Sequence, residues 1–153
     1  MTHETREPIL AWRGNIPVTN LYTVGVAGQR FFDALKRDGV LLGSKCPKCG
    51  SVTLPPSLFC EPCFVQCHEF VPVGPKGRVR SFTLARLDLD EQRVKRPKVV
   101  AFIEFEGVHG GLLYYLGDVR PTRVRIGMPV EPVLKPPAKR TGTQHDIEHF
   151  RPA

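Results

Sequence analysis

Between Gly77 and Leu87 the chain alternates, with Val79, Phe82 and Leu84 apolar among Arg78, Arg80, Ser81 and Thr83. An apolar–polar alternation of period two marks a strand with one face covered. Residues 98–106 (KVVAFIEFE) and 112–116 (LLYYL) read as further strands, with Gly110-Gly111 as a turn between them. Residues 130–134 read as a last short strand after Gly127-Met128-Pro129, and Phe150 as part of one more. From Val71 onward the pattern is all-β. About five short strands with glycine-marked turns predict a small barrel, which removes exposed strand edges by closing on itself.

Upstream the period changes. Residues 29–38 read as a helix, with Phe31, Phe32 and Leu35 on one side, Ala34 beside them and Gly39 as its stop. Lys36 and Arg37 fall in the last turn, where positive charge suits the helix dipole. The two phenylalanines either cover the domain's own core, the cheaper reading, or form a docking face. Residues 1–24 hold Ile9, Leu10, Trp12, Ile16, Val18, Leu21 and Tyr22 with no helical or strand period. That many large apolar side chains predict an extended arm packed on something. Trp12 is the only tryptophan and its expected anchor. The arm's seat is either the chain's own body or a partner subunit.

The most specific chemistry lies between these regions. Cys46, Cys49, Cys60 and Cys63 form a C-x2-C-x10-C-x2-C array. Each C-x-x-C pair turns two thiolates onto one point, and two pairs complete a tetrahedron around a soft cation. Four sulfurs leave no open coordination position, so the centre is structural. Residues 40–45 and 51–56 read as strands flanking the first pair. A module this small cannot bury a core, so the metal supplies its folding energy. Zinc is the default and iron the rival, since both take four thiolates in a tetrahedron. Gly50 follows the first pair but Phe64 the second, and the missing glycine favours zinc. His68 as a substitute ligand is the lesser option. Cys67 is left over, and a packed or surface thiol explains it more cheaply than a nucleophile.

Charge narrows the partners only a little. Four thiolates around a divalent ion subtract two from the formal +7, leaving about +5. That suits nucleic acid, a nucleotide-like cofactor or an acidic protein. Arg93, Lys95, Arg96 and Lys98 make a dense basic run, read as a loop before a strand. It is either a solvated loop or a phosphate-binding patch. Phe82, Phe102, Phe105, Tyr114 and Tyr115 nearby are either core or stacking platforms for single-stranded nucleic acid.

Other chemistries find no support. The chain carries no P-loop, G-x-G-x-x-G or G-x-S-x-G. Asp88, Asp90 and Glu91 read as a polar loop tip. His145, Asp146, Glu148 and His149 read as a solvated acidic tail, and residues 136–142 as a mobile basic segment. No apolar run approaches the roughly 18 residues of a membrane span. The polar start lacks signal-peptide features, which predicts a reducing cytoplasm, where clustered cysteines bind metal rather than pair.

The order of motifs resembles the DUF35 family. Phe31-Phe32-x-Ala34-Leu35 leads into Leu41-Leu42-Gly43-x-Lys45-Cys46-Pro47-x-Cys49-Gly50 and then Leu54-Pro55-Pro56. Ser81-Phe82-Thr83, Arg125-Ile126-Gly127-Met128-Pro129-Val130 and Phe150-Arg151-Pro152-Ala153 follow in the family's order. The resemblance covers about residues 28–153. The leader and residues 135–150 are less typical of the family. Beside the arm over 1–27 read from its residues, the resemblance implies a mainly β chain: a helix over 28–39, a rubredoxin-like zinc ribbon over 40–68 and an OB-fold with a C-terminal tail over 69–153.

It also implies a non-catalytic accessory subunit of a thiolase-type acyl-CoA enzyme. The thiolase-like partner would supply the catalytic cysteine and histidine, in a heterotetramer of two plus two. Zn2+ would be structural, and coenzyme A or acyl-CoA would be shared with the partner, its phosphates meeting Arg93, Lys95, Arg96 and Lys98. Trp12, Phe31 and Phe32 would be interface anchors. The alternative is a zinc-ribbon and OB-fold module that binds single-stranded nucleic acid.

Overall fold

The structure is a computed structural model that describes residues 22–88, 90 and 92–153. The expected arm and its anchor Trp12 therefore fall almost wholly outside the described residues.

The first element is helix α1, Gly25–Arg37. Ala27, Phe31, Ala34 and Leu35 share its buried face, at helical spacing. The helix starts four residues before the expected 29. Gly25 begins the helix at φ +67°, a conformation that suits glycine. Gly28 is a poor helix former, and burial of Ala27 beside it helps to offset its cost. Its end is as expected: Gly39, at φ +68°, donates its N–H to the carbonyls of Ala34 and Leu35.

Strands β1 (Leu41–Lys45), β2 (Val52–Leu54), β3 (Phe59–Cys60), β4 (Val65–Gln66) and β5 (Glu69–Val73) follow. Then come β6 (Gly77–Leu87), β7 (Arg93–Phe105), β8 (Val108–Gly110), β9 (Leu112–Leu116), β10 (Pro129–Leu134) and β11 (Ile147–Pro152). Three sheets result: β5-β1-β2-β8, the small β3-β4 pair, and a closed barrel in the order β10-β11-β9-β7-β6. A closed five-stranded barrel with a parallel β9–β11 contact is the OB-fold arrangement.

β8 joins the two larger sheets. It pairs parallel with β2, Val52 opposite Val108 and Leu54 opposite Gly110. The Gly110-Gly111 pair is thus the passage from the β2 sheet into the barrel as well as a turn. One core links helix, open sheet and barrel: Phe31 and Leu35 of the helix, Leu41, Leu54 and Val73 of the open sheet, and Val79, Ile103, Val130 and Phe150 of the barrel form a single cluster. Cys46, Cys60 and Cys67 form a second, small cluster in the metal module.

Three sequence readings need correction. Arg93, Lys95, Arg96 and Lys98 lie on β7, not in a loop. The register slips there, Ala85 facing Lys98 while Leu87 faces Arg93. Pro97, which cannot donate to a ladder, sits inside the slipped stretch, so the proline marks an irregular strand rather than its start. Residues 136–142 are tied down rather than loose: Arg140 Nε donates to the Lys135 carbonyl at 2.8 Å and its guanidinium packs beside Gly39. Of the expected solvated tail, His145 and Glu148 are exposed, but Asp146 is buried and His149 is half-buried. Glu148 and His149 lie on β11, which closes the barrel with Phe150 in its core as expected.

Candidate metal centre

The two C-x-x-C turns fold alike. The N–H of Gly50 donates to the Cys46 carbonyl at 3.0 Å, and the N–H of Phe64 to the Cys60 carbonyl at 2.8 Å. Each turn ends in a left-handed residue, Gly50 at φ +73° and Phe64 at φ +52°. Phe64 therefore takes the conformation that glycine takes in the first turn. The absence of glycine does not alter the turn, and it loses its weight in the choice between zinc and iron. Amides of Lys48 and Cys49 point at the Cys46 sulfur, both at 3.4 Å.

The four sulfurs of Cys46, Cys49, Cys60 and Cys63 lie within 4.8 Å of one another. Those of Cys49 and Cys60 are 3.8 Å apart. A tetrahedron with Zn–S bonds of about 2.3 Å has edges of about 3.8 Å, so the donor set fits the ion. Cys46 and Cys60 are buried while Cys49 is exposed and Cys63 is intermediate. One side of the centre thus faces the chain and the other solvent.

Without metal the four thiols are unequal. The Ser51 hydroxyl and amide beside Cys49 bring its thiol down to about 6. Cys63, which gives up hydrogen bonds to its charged neighbour Cys49 and is desolvated, is pushed up to about 12. Cys67 is buried against Cys46 and Cys60, and burial raises its thiol. It stays a packed thiol.

A second cluster lies on the barrel. Lys95, Arg96 and Lys98 line one cavity of about 630 Å3 together with Tyr115 and Glu148. Lys98 Nζ stands 5.5 Å from the Tyr115 ring centre. Arg93 is exposed and lies outside that lining. Phe31 is buried and turned to the core, so it offers no face to a partner; Phe32 is half-buried. Asp88 closes the β6–β7 loop by accepting the N–H groups of Asp90 and Gln92 at 3.0 and 2.8 Å, the work of a turn residue. Glu91 lies outside the described residues.

Two arrangements were invisible to the reading by spacing. Asp118, at φ +52°, pairs with His149 at 3.0 Å. Asp146 accepts the N–H groups of Thr141 and Gly142 at 2.8 and 2.7 Å. The latter had a signal: Thr143 followed three residues later by Asp146 is a capping-box pattern.

Comparison with known proteins now adds to the geometry. Residues 33–69 match the model "ChsH2, rubredoxin-like zinc ribbon domain" and residues 70–135 the model "ChsH2, C-terminal OB-fold domain". The chain is 32% identical over 96 residues to a DUF35 domain-containing scaffold protein of Methanothermobacter thermautotrophicus, covering 62% of this chain and 71% of that one. It is 28% identical over 102 residues to one from Methanocaldococcus jannaschii, covering 66% and 72%. A DUF35-family structure from Sulfolobus solfataricus superposes with a TM-score of 0.66 at 29% identity, over 84% of both chains. A chain of the Ltp2-ChsH2(DUF35) aldolase superposes with a TM-score of 0.61 over 86% of this chain and 98% of that one, and at 23% identity this likeness concerns fold alone.

Proposed function

Because this chain belongs to the DUF35 family, with its zinc ribbon and OB-fold, we propose that it is a non-catalytic accessory subunit of a thiolase-type acyl-CoA enzyme. The observation that carries the reading is the cluster of four sulfurs, the one such centre among the described residues, which filled by a metal leaves no coordination position for a reacting molecule. The curated relatives are called scaffold proteins, and one structural neighbour is part of an aldolase complex. Phe59 and Phe64 stand 57% and 88% exposed on the metal module, apolar surface of the kind that meets a partner.

The partner in this reading is a thiolase-like subunit that supplies the catalytic cysteine and histidine, in a heterotetramer of two plus two. Zn2+ holds the ribbon, and the complex works in the cytoplasm. Among the described residues no helix is long and apolar enough to cross a membrane. Lys95, Arg96 and Lys98, which line one cavity, and Arg93 on the same strand meet the phosphates of coenzyme A.

The finer reading is the small subunit of the benzoylsuccinyl-CoA thiolase of anaerobic toluene breakdown. The long leader and the segment after residue 135 resemble that subunit. The matched family models stop at residue 135, and the chain continues through β11. Purification of the chain from its native host, with mass spectrometry of what accompanies it, tests the proposal. A thiolase-like subunit in stoichiometric amount is the expected result. A chain that emerges alone, or bound to RNA, overturns it.

A further inference from the structure

An apolar groove of about 590 Å3 lies between the first turns of α1 and β9, walled by Val24, Val26, Phe32, Pro55, Leu58 and Leu113 among others. Val26 and Leu113 are 57% and 69% exposed, so the groove is open at its rim. Its size falls within the range of about 300–1,000 Å3 in which pockets take a sizeable group. Its chemistry is one-sided, since none of the described residues that line it is charged. The Tyr114 hydroxyl is turned to the carbonyls of Gln144 and Ile147, at 2.7 and 2.6 Å. A phosphate or carboxylate finds no cationic side chain there among the described residues, and the apolar walls outweigh the few polar groups, the first-turn N–H groups of α1 and Gln144. The occupant is apolar.

We propose that this groove seats the chain's own leader, residues 1–21, with Trp12 as the anchoring side chain. Position is the first argument. The leader joins the described chain at Tyr22, two residues before Val24, and Val24 is itself a wall of the groove. Composition is the second. Ile9, Leu10, Trp12, Ile16, Val18 and Leu21 give the leader the apolar side chains that the groove accepts. Reach is the third. The stretch from Trp12 to Val24 spans at most about 40 Å when extended, ample to fold back over a groove that begins at residue 24. Gly14 and Pro17 supply turn chemistry within that stretch. Tethering is the fourth. A segment joined by so short a link acts at an effective concentration of order millimolar, ahead of any dilute competitor.

The inference concerns the isolated chain and does not depend on the accessory-subunit reading. Trp12, as the single tryptophan, reports on it directly. The experiment measures tryptophan emission and acrylamide quenching of the full metal-loaded chain over a range of concentrations. It does so for the wild type, for Val26→Asp and Leu113→Asp at the groove, and for Ile126→Asp, an equally open position outside it. Thermal melting and metal content check that each variant is folded.

The expected result is blue-shifted, protected emission in the wild type and in Ile126→Asp, at every concentration. Both groove variants should shift the emission to the red and lose the protection while remaining folded. Free-indole emission in the wild type overturns the proposal. So does protection that both groove variants retain. Protection that appears only as concentration rises assigns the groove to a second copy. Protection that appears only on adding the catalytic subunit assigns the leader to that partner. Either result overturns the intramolecular seat.

Discussion

The sulfurs of Cys49 and Cys60 stand 3.8 Å apart across an eleven-residue separation in sequence. A shared divalent ion is what lets all four ionise at this spacing, since bare thiolates repel and the metal-free thiols keep protons between them. Cys46→Ser or Cys63→Ser should therefore drop metal content from one ion per chain to none. Structural zinc contributes roughly 10–16 kcal/mol of apparent folding energy in small modules, as much as the whole stability of an ordinary domain, about 5–15 kcal/mol. The ribbon should unfold in these variants and assembly with a partner should fail. Native mass spectrometry and a melting curve check both. A variant that keeps the ion or still assembles sinks the structural role.

Metal loading should depend on pH in one direction. The Cys49 thiol sits at about 6 and is largely ionised at neutral pH. Cys60 is raised, and Cys63 is pushed up to about 12, so both hold their protons there and must release them to bind the ion. Falling pH therefore weakens binding, and rising pH strengthens it. Competition with a chromogenic chelator between about pH 6 and pH 8 should show apparent affinity climbing throughout. A flat profile would mean that the thiols are already ionised in the apo-protein.

What the sequence made legible follows from how local each signal is. The strand character of β6 and β9 is each contained within one element and the cysteine spacing within two short turns, and the structure has both strands and the sulfur cluster. A register shift between Val79 and Ser81 breaks the expected alternation of β6 and leaves Phe82 exposed. The start of α1 was not legible, because two glycines argue against helix locally and only the distant core buries Ala27. The strand character of Arg93–Lys98 was hidden by its charges and by Pro97, since the partner strand β6 decides it. Asp146 and His149 looked like a solvated tail because acidic and histidine residues usually are. His149 is placed by the pairing of β11 with β10, and Asp146 is buried where the N–H groups of Thr141 and Gly142 fold back onto it.

Asp146 should govern acid stability. Burial pushes its carboxyl up, but the N–H groups of Thr141, Gly142 and Thr143 together outweigh burial and hold it below the usual range. A carboxylate held low in the fold contributes stability that is present above its unfolded value, about 3.9. That contribution is lost as pH falls through the lower folded value. Asp146→Asn should melt well below the wild type at neutral pH, by about 1–3 kcal/mol for the lost charged acceptor. The gap should narrow below about pH 4. A gap of constant size across that window would assign the loss to packing instead.

The basic cavity predicts a graded effect. Lys95, Arg96 and Lys98 line it and Arg93 does not. In the proposed assembly with an acyl-CoA enzyme, reversal of the three lining charges should raise the Michaelis constant for the acyl-CoA by on the order of tenfold, the equivalent of about 1.4 kcal/mol. Arg93→Glu alone should do much less. An unchanged constant in the triple variant removes coenzyme A from this cavity.

Gly110 tests whether the ribbon sheet and the barrel are one folding unit. It ends β8 opposite Leu54 of β2, at φ +84°. A Cβ there would press into the Leu54 carbonyl oxygen, which is backbone and cannot step aside. The same oxygen accepts the Gly111 N–H at 2.8 Å, so relief by moving β2 would break that bond too. Gly110→Ala should thus cost about 1–2 kcal/mol from its left-handed backbone alone and more from the clash. A loss of about 2 kcal/mol lowers the melting midpoint by roughly 4–8 °C in a chain of this size. The cysteines lie outside this contact, so metal content should stay at one ion per chain. A single, lower transition that keeps its metal is the outcome for one shared core. Two separated transitions would show that ribbon and barrel melt independently, and loss of metal would show that the β2–β8 joint holds the ribbon in shape.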